Sequence, residues 1–178
     1  MCGLIGLFSK KNISNTEKDL VRKSINSLKH RGPDQSGLYC KSNICFGHTR
    51  LSIIDLKNAL QPMVIQNRYT IIFNGEIVNY KKLREEIIIN YNHSFFSNSD
   101  TEVVLASYHY YGSNCVQKFE GMFAFIIYDK LNNEIFVARD RFGIKPLYYL
   151  YDKNRIIFSS ELNQFKFFKN LRNKINNL

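Results

Sequence analysis

The chain has 178 residues, of which 44% are hydrophobic and 14% aromatic, as expected for one globular domain with a substantial core. Its 25 Lys and Arg against 15 Asp and Glu give a net charge of +10, but no run of five or six like charges occurs, so we interpret the excess as a solvated surface. This distribution argues against a nucleic-acid partner and leaves an acidic partner domain as another use of the charge, while the absence of an apolar run of ~20 residues argues against a membrane span.

The hydrophobic pattern predicts a mixture of strands and helices. The apolar run from Cys2 to Phe8 predicts a buried strand, and a helix capped by Asn15 or Thr16 is expected to follow it and end at Gly32-Pro33. The later predicted elements, in chain order, are a hairpin of residues 38–40 and 44–50, a strand 69–73, a helix 80–89, a helix capped by Asp100, and strands 122–128, 134–139, 147–150 and 156–158. This segregation of helices and strands favours an α+β layered fold.

The cysteines indicate a reducing compartment. Cys2, Cys40, Cys45 and Cys115 form no Cys-x-x-Cys pair and no Cys/His cluster, so no metal site is expected. The chain also lacks the basic stretch and long apolar core of a secretory signal, and we expect a cytoplasmic location. Cys40 and Cys45 would face each other across a two-residue turn and could oxidise, but packing is the favoured role.

The first candidate for chemistry is Cys2. If an aminopeptidase removes Met1, Cys2 carries both a thiol nucleophile and a free α-amine. Such an amine titrates at roughly pH 7.7 to 8 and can accept the thiol proton. The alternative is that Cys2 merely begins a buried strand.

Polar residues at the predicted strand ends are further candidates. Arg50 could hold a carboxylate through its planar guanidinium, although a solvated Arg is the usual case. Asn74 and Gly75 could aim a side-chain amide and a backbone N–H at one oxyanion, and the alternative is a simple Asn-Gly turn. Glu76 and Asp100 could face an ammonium group, or serve as turn polarity and a helix cap.

Eight short blocks occur in a fixed order along the chain. They are Met1–Gly6, His30–Asp34, Gly47–Asp55, Gln61–Met63, Phe73–Ile77, Ser99–Glu102, Gly121–Phe125 and Ala138–Leu147. Together they closely resemble the N-terminal glutaminase domain of glutamine-hydrolysing asparagine synthetases, which are class II glutamine amidotransferases. The third and eighth blocks resemble this branch more than the phosphoribosyl- or glucosamine-directed branches, and the resemblance extends from Cys2 to about Glu161.

The resemblance implies a fold, a domain boundary and a reaction. The family fold is an N-terminal-nucleophile (Ntn) hydrolase αββα sandwich, with two antiparallel sheets between helical layers. The glutaminase domain would cover residues 1–162, and residues 163–178 would begin a linker to a synthetase domain. The implied activity is hydrolysis of L-glutamine to glutamate and ammonia, which supplies asparagine biosynthesis as the glutaminase half of an asparagine synthase.

The resemblance also implies partners and cofactors. L-glutamine is the expected substrate, and a synthetase domain in cis or in trans is the expected partner. No cofactor is expected in this chain, because ATP and Mg²⁺ belong to the synthetase domain. The resemblance admits a homodimer of the full-length protein.

The family's site residues carry over position by position. Cys2 matches the nucleophile and its amine the base, while the side chain of Asn74 and the N–H of Gly75 match the oxyanion hole. Arg50 matches the group that holds the α-carboxylate of glutamine. The remaining substrate-binding positions are Leu51, Ile53 and Ile54, which line the same pocket, and Glu76 and Asp100, which receive the α-ammonium.

Two departures from the family pattern bear on these expectations. Val78 stands where the family usually has Tyr, which affects packing beside the site more than its chemistry. The ATP-pyrophosphatase loop of Ser-Gly-Gly-x-Asp-Ser type does not occur in the chain, so we expect ammonia release without asparagine synthesis. The apolar tail of Phe165, Phe167 and Phe168 is interpreted as an unsupported interface. A non-catalytic binding or assembly module of the same fold is the alternative function. Cys2 argues against it, but retained Met1 would produce the same inactive state.

Overall fold

The structure, a computed structural model, describes residues 1–56 and 58–174, with side chains as far as residue 168. Within this part the chain forms nine strands, three α-helices and two 3₁₀ segments. In chain order they are β1 (Gly3–Ser9), α1 (Asn15–Asn26), β2 (Gln35–Lys41), β3 (Ile44–Arg50), β4 (Met63–Ile65), β5 (Tyr69–Ile77), α2 (Tyr80–Tyr91), α3 (Asp100–Tyr111), a 3₁₀ segment (Gly112–Lys118), β6 (Gly121–Asp129), β7 (Glu134–Arg139), β8 (Tyr148–Tyr151), β9 (Arg155–Ser159) and a second 3₁₀ segment (Leu162–Lys174).

The chain divides into two compact units, and each contains one sheet. The first unit comprises residues 1–51 and the described residues from 146 onward. Its sheet has the strand order β2–β3–β1–β9–β8, with every neighbouring pair antiparallel. The apolar face of α1 packs against this sheet and buries Val21 and Ile25 beside Ile5 and Leu7 of β1.

The second unit comprises residues 52–145. Its antiparallel sheet has the order β4–β5–β6–β7, and α2 and α3 supply helical side chains to its core. Because β5 and β6 lie at the centre, their inward residues are almost completely buried; Ile71 and Phe125 are both 0% exposed. The α+β class and the two antiparallel sheets predicted from the sequence are confirmed.

The helix caps differ from those predicted. Ser14, not Asn15 or Thr16, caps α1, and it forms a reciprocal capping box with Glu17, which explains why the helix begins there. This helix ends at Asn26, several residues before the Gly32-Pro33 signal, because the intervening residues form turns. Asp100 is likewise not a cap: the side chain of Ser99 accepts the hydrogen bond from Glu102 N, and Asp100 is the first residue of α3.

The sequence predicted that the strand ends before Asn74-Gly75, but β5 includes both residues. The strand continues to Ile77 and remains paired with β6 through Gly75 opposite Phe123. The physical reason is close approach rather than turning. A Cβ at position 75 would collide with the Met122 carbonyl oxygen and with the Phe123 Cα, so only glycine fits this position in the strand.

The cysteine hairpin and the C-terminal segment also differ from the expectations. The turn at residues 42–43 places Cys40 directly opposite Cys45, and the structure joins them in a disulfide, where packed thiols were favoured. Phe168 is only 3% exposed and packs in the core of the first unit with Phe165 and Phe167 against it, so the interpretation of these aromatics as an unsupported interface was wrong.

The boundary at residue 162 stays a prediction, and residues 175–178 of the expected linker lie outside the described residues. Among the described helices, none has the length and apolar character that a bilayer span requires.

Candidate functional site

The predicted site residues fall into two groups. Cys2, Arg50 and Leu51 belong to the first unit. The second unit contains the others, which are Ile53, Ile54, Asn74, Gly75, Glu76 and Asp100.

Cys2 lies immediately before β1 and is held through both its backbone and its side chain. Its carbonyl oxygen accepts a hydrogen bond from Nε of Arg31 at 2.9 Å. Its Sγ lies 3.8 Å from the carbonyl oxygen of Leu51, within the range of a weak thiol hydrogen bond. The thiol is half-buried and remains reduced, so Cys2 combines accessibility with a defined position.

The chain start is also fixed by its neighbour β9. Leu4 N donates to Ser160 Oγ at 3.0 Å, and Ser160 N donates to the Leu4 carbonyl at 3.1 Å. The second bond extends the backbone contact between β1 and the end of β9 beyond the Ile5–Ser159 pair, and the first adds a side-chain contact at the same point. The backbone therefore leaves little freedom to the residues that follow Cys2.

Arg31 connects the start of the chain to an ionic cluster. Its Nη1 lies 3.1 Å from Glu161 Oε1, and the same oxygen lies 2.9 Å from Nε2 of His30. Burial raises the pKa of Glu161, but the hydrogen bonds from His30 and Arg31 outweigh it and hold the pKa below its usual range. Glu161 is therefore ionised at neutral pH.

Arg50 is the last residue of β3 and is only 5% exposed. The turn after α1 lies against this position, because a Cβ on Gly32 would overlap the Thr49 carbonyl group and the Arg50 nitrogen. The Arg50 carbonyl accepts a hydrogen bond from Asp34 N at 3.1 Å. The glycine thus allows the turn to approach β3 and to fix the backbone from which the Arg50 side chain extends.

The orientation of the Gly75 N–H follows from hydrogen bonds to its neighbours. Phe123, opposite Gly75, directs its N–H and C=O toward Asp140, at 3.2 Å from Oδ2 and 2.8 Å from N. Since both groups of a residue in an antiparallel strand point to the same side, Phe123 and Gly75 form a non-hydrogen-bonded pair. The Gly75 N–H therefore points away from β6.

The two residues flanking Gly75 at a spacing of two support this orientation. Phe73 N donates to Gln61 Oε1 at 2.6 Å, and Ile77 N donates to Asp100 Oδ2 at 3.2 Å. Side-chain oxygens thus receive the outer N–H groups on both sides of Gly75. β4 pairs only with residues 69–71 among the described residues, so Gly75 lies in an edge segment of the sheet.

Asn74 and Glu76 lie on the opposite face of β5 from Phe73 and Ile77, because side chains alternate along a strand. Phe73 and Ile77 belong to the apolar core of the second unit. Asn74 is only 1% exposed, so its amide is placed in a largely desolvated environment. An amide in such an environment interacts more strongly with charge than it does in water.

Asp100 is a buried carboxylate, 5% exposed, in the first turn of α3. Burial raises its pKa to about 6, the hydrogen bond from Ile77 N opposes this shift, and the charge of Glu76 adds to it. Two acidic side chains near one another in the second unit favour a cation between or beside them. This electrostatic pattern suits an ammonium ligand.

The remaining predicted positions, Ile53 and Ile54, lie in irregular chain after β3, and Ile53 is 71% exposed. Within the described residues, no group of three or more His, Cys, Asp or Glu is arranged to hold a metal ion.

Sequence reasoning missed three residues that support these positions. Arg31 entered only as part of the His30–Asp34 block and Glu161 only as the limit of the resemblance, although Arg31 contacts Cys2 and Glu161 contacts Arg31. Gln61 bridges Phe73 N and, at 3.4 Å, Thr101 Oγ1. Their contacts join residues that are distant in sequence, and no local sequence pattern predicts such contacts.

Comparison with known proteins identifies the family. Residues 1–178 match the family described as glutamine amidotransferase domain. Asparagine synthetase [glutamine-hydrolyzing] 1 of Bacillus subtilis is 43% identical over 164 residues, which cover 90% of this chain and 26% of that protein. A putative asparagine synthetase [glutamine-hydrolyzing] 2 of Methanocaldococcus jannaschii is 38% identical over 198 residues, covering 99% of this chain and 37% of that protein. The chain therefore spans between about a quarter and somewhat more than a third of the length of these relatives.

A solved structure matches the fold. Glutamine phosphoribosylpyrophosphate amidotransferase from B. subtilis, complexed with ADP and GMP, superposes with a TM-score of 0.76 over 93% of this chain and 43% of that chain, at 21% identity. The chain accordingly has an Ntn-hydrolase-like α+β fold, as the resemblance implied. It belongs to the glutamine amidotransferase domain family, as a class II domain related to the N-terminal domain of asparagine synthetases.

Proposed function

We propose that the chain, after removal of Met1, hydrolyses L-glutamine to glutamate and ammonia through a thioester at Cys2. The observation that carries the proposal is the half-buried Cys2 immediately before β1, in a chain of the glutamine amidotransferase family. Its carbonyl oxygen accepts a hydrogen bond from Arg31, and its thiol lies against the Leu51 carbonyl oxygen. A nucleophile that brings its own amine needs no histidine base.

In the proposed first half-reaction the α-amine of Cys2 accepts the thiol proton, and the sulfur attacks the side-chain amide carbon of glutamine. The C–S bond forms as the carbonyl electrons move to oxygen, and the side chain of Asn74 with the N–H of Gly75 stabilises that oxyanion. When the oxyanion collapses, the C–N bond breaks and the Cys2 ammonium protonates the leaving nitrogen, which departs as ammonia. The outward N–H of Gly75 and the buried amide of Asn74 support these roles.

In the second half-reaction the amine activates a water molecule that attacks the thioester. The same donors stabilise the second oxyanion, whose collapse breaks the C–S bond and releases glutamate, and the Cys2 ammonium returns its proton to the thiolate. Arg50 binds the α-carboxylate of glutamine through a bidentate guanidinium, with Leu51, Ile53 and Ile54 lining the pocket. Glu76 and Asp100 bind the α-ammonium, in keeping with the acidic character of their surroundings.

We further propose that the ammonia serves an ATP-dependent synthetase domain in cis or in trans, which makes asparagine or performs a related amidation. The names of the relatives support asparagine synthesis. ATP and Mg²⁺ would act in that domain and not in this chain.

The test is ammonia release from glutamine by purified protein whose intact mass shows that Met1 is absent. A preparation that retains Met1 is the matched control, because its amine is blocked while the thiol is unchanged. Ammonia from the processed protein alone supports the proposal. Processed protein that releases none would instead favour a non-catalytic binding or assembly module.

A further inference from the structure

Glu161 follows β9 at the point where that strand runs beside the start of the chain. Ile5 pairs with Ser159 in an antiparallel register, and Leu4 exchanges hydrogen bonds with Ser160. The residue after Ser160 therefore comes alongside the segment that precedes Leu4. The fold brings residue 161 to the N-terminal residues although more than 150 positions separate them in sequence.

Arg31 lies between Glu161 and Cys2 and contacts both. Its side chain is only 9% exposed, Nη1 donates to Glu161 Oε1 at 3.1 Å, and Nε donates to the Cys2 carbonyl at 2.9 Å. A guanidinium is planar and rigid, so an anion that fixes one nitrogen also orients the others. Removing the anion would leave the bond to Cys2 supported from one side only.

Glu161 is itself held in place. His30 Nε2 lies 2.9 Å from the oxygen that receives Arg31, and Glu161 N donates to Ser159 Oγ at 3.3 Å. The Glu161 side chain is 26% exposed. Of its two partners, Arg31 is 9% exposed and His30 is 60% exposed, so the contact with Arg31 is the more shielded. Ser159 thus holds the backbone of Glu161, and His30 and Arg31 hold its carboxylate.

We infer that Glu161 is a positioning residue for the Cys2 nucleophile and acts through Arg31. This inference rests on the proposed glutaminase function. Glu161 does not touch glutamine in this scheme; it keeps the Arg31 guanidinium on the Cys2 carbonyl, and thereby fixes the residue that carries both thiol and amine. Its loss is therefore expected to lower turnover and to leave glutamine affinity nearly unchanged.

The experiment compares Glu161→Gln with Glu17→Gln in protein that lacks Met1. Glu17 is a matched control, because it is a carboxylate of the same unit that pairs with an arginine, Arg155, at 3.3 Å, and it has no proposed role in holding Cys2. Steady-state assays give kcat and KM for glutamine, and urea unfolding gives the folded fraction. NMR of protein with ¹⁵N-labelled arginine measures the exchange of the Arg31 Nε–H with water.

We expect Glu161→Gln to lower kcat about tenfold, roughly the effect of one charge-assisted hydrogen bond, with KM changed less than about twofold. The Arg31 Nε–H should exchange about tenfold faster, and Glu17→Gln should change neither quantity. Normal kcat together with normal Nε–H exchange in Glu161→Gln would overturn the inference while the glutaminase assignment stands. Wild-type protein that releases no ammonia would overturn the proposed function, and the exchange measurement would still report separately whether Glu161 holds Arg31.

Discussion

Nε of Arg31 donates a hydrogen bond to the carbonyl oxygen of Cys2 at 2.9 Å, across 29 positions of sequence. This contact fixes the residue before β1, which would otherwise be free to fray as chain ends usually are. The turn after α1 thus helps to hold Cys2 in a defined position.

The first prediction concerns Asn74. Asn74→Ala should lower glutamine turnover about 100- to 1000-fold, because it removes one of two proposed oxyanion donors, while KM changes little. The check is steady-state ammonia release with circular dichroism to confirm folding. Asn132→Ala is a suitable control, since its amide donates to Asp129 Oδ2 at 3.0 Å and has no proposed role in the reaction. Near-normal turnover in Asn74→Ala would show that the oxyanion is stabilised elsewhere.

The second prediction concerns Arg50. Arg50→Lys replaces a planar fork with a point charge, so we expect KM for glutamine to rise about tenfold or more, with a smaller effect on kcat. Arg68→Lys provides the control. Arg68 makes a bidentate contact with the carboxylate of Asp129 but has no proposed role in glutamine binding. An unchanged KM in Arg50→Lys would contradict its role in carboxylate binding.

The third prediction concerns the pH dependence of stability. The pKa of Asp100 is raised from 3.8 to about 6, so the folded state binds this proton more tightly than the unfolded chain does. The resulting stabilisation is complete below about pH 4 and is lost as the pH rises through about 6. Asp100→Asn should therefore raise the free energy of unfolding at pH 8, by up to about 3 kcal/mol, and change it little at pH 4.

Urea unfolding at the two pH values checks this expectation. Asp19→Asn is the control, because Asp19 is 59% exposed and lies on α1. A difference between Asp100→Asn and wild type that is equal at pH 4 and pH 8 would show that burial of the charge is not the cause.

The fourth prediction concerns Gly75. Gly75→Ala introduces a Cβ that meets the Met122 carbonyl and the Phe123 Cα, so β5 and β6 must separate locally. We expect a loss of about 1 to 3 kcal/mol in the free energy of unfolding, the usual cost of overpacking. Turnover should fall as well, since the N–H of residue 75 moves with the strand. A stability equal to that of the wild type would mean that the strands have room for a methyl group.

The sequence predicts the elements well where the pattern is local. Strand β7 was predicted at its observed bounds, 134–139, because an apolar run lies between two turn signals. β4 was missed because three residues carry too little periodicity to be recognised. The prediction that the strand ends at Asn74-Gly75 was wrong. The requirement for glycine comes from the neighbouring strand, and no local sequence pattern shows it.

In the candidate site, too, residues with a local sequence signal could be predicted, whereas contacts between distant residues could not. Cys2 could be recognised from its position and thiol, and the other proposed residues from ordered blocks that resemble a known family. The contacts of Glu161 with Arg31 and of Gln61 with Phe73 depend on strand register and burial, which only the three-dimensional structure supplies.

The most direct test of the account is the mass of Cys2 after exposure to a diazoketone analogue of glutamine. We predict that protein lacking Met1 gains one covalent adduct, that peptide mapping places it on Cys2, and that excess L-glutamine slows its formation. Protein that retains Met1 should react much more slowly, and the buried Cys115, whose pKa burial raises to about 12, should not react. An unmodified Cys2 in processed, folded protein would contradict the central claim that this residue is a glutamine-directed nucleophile.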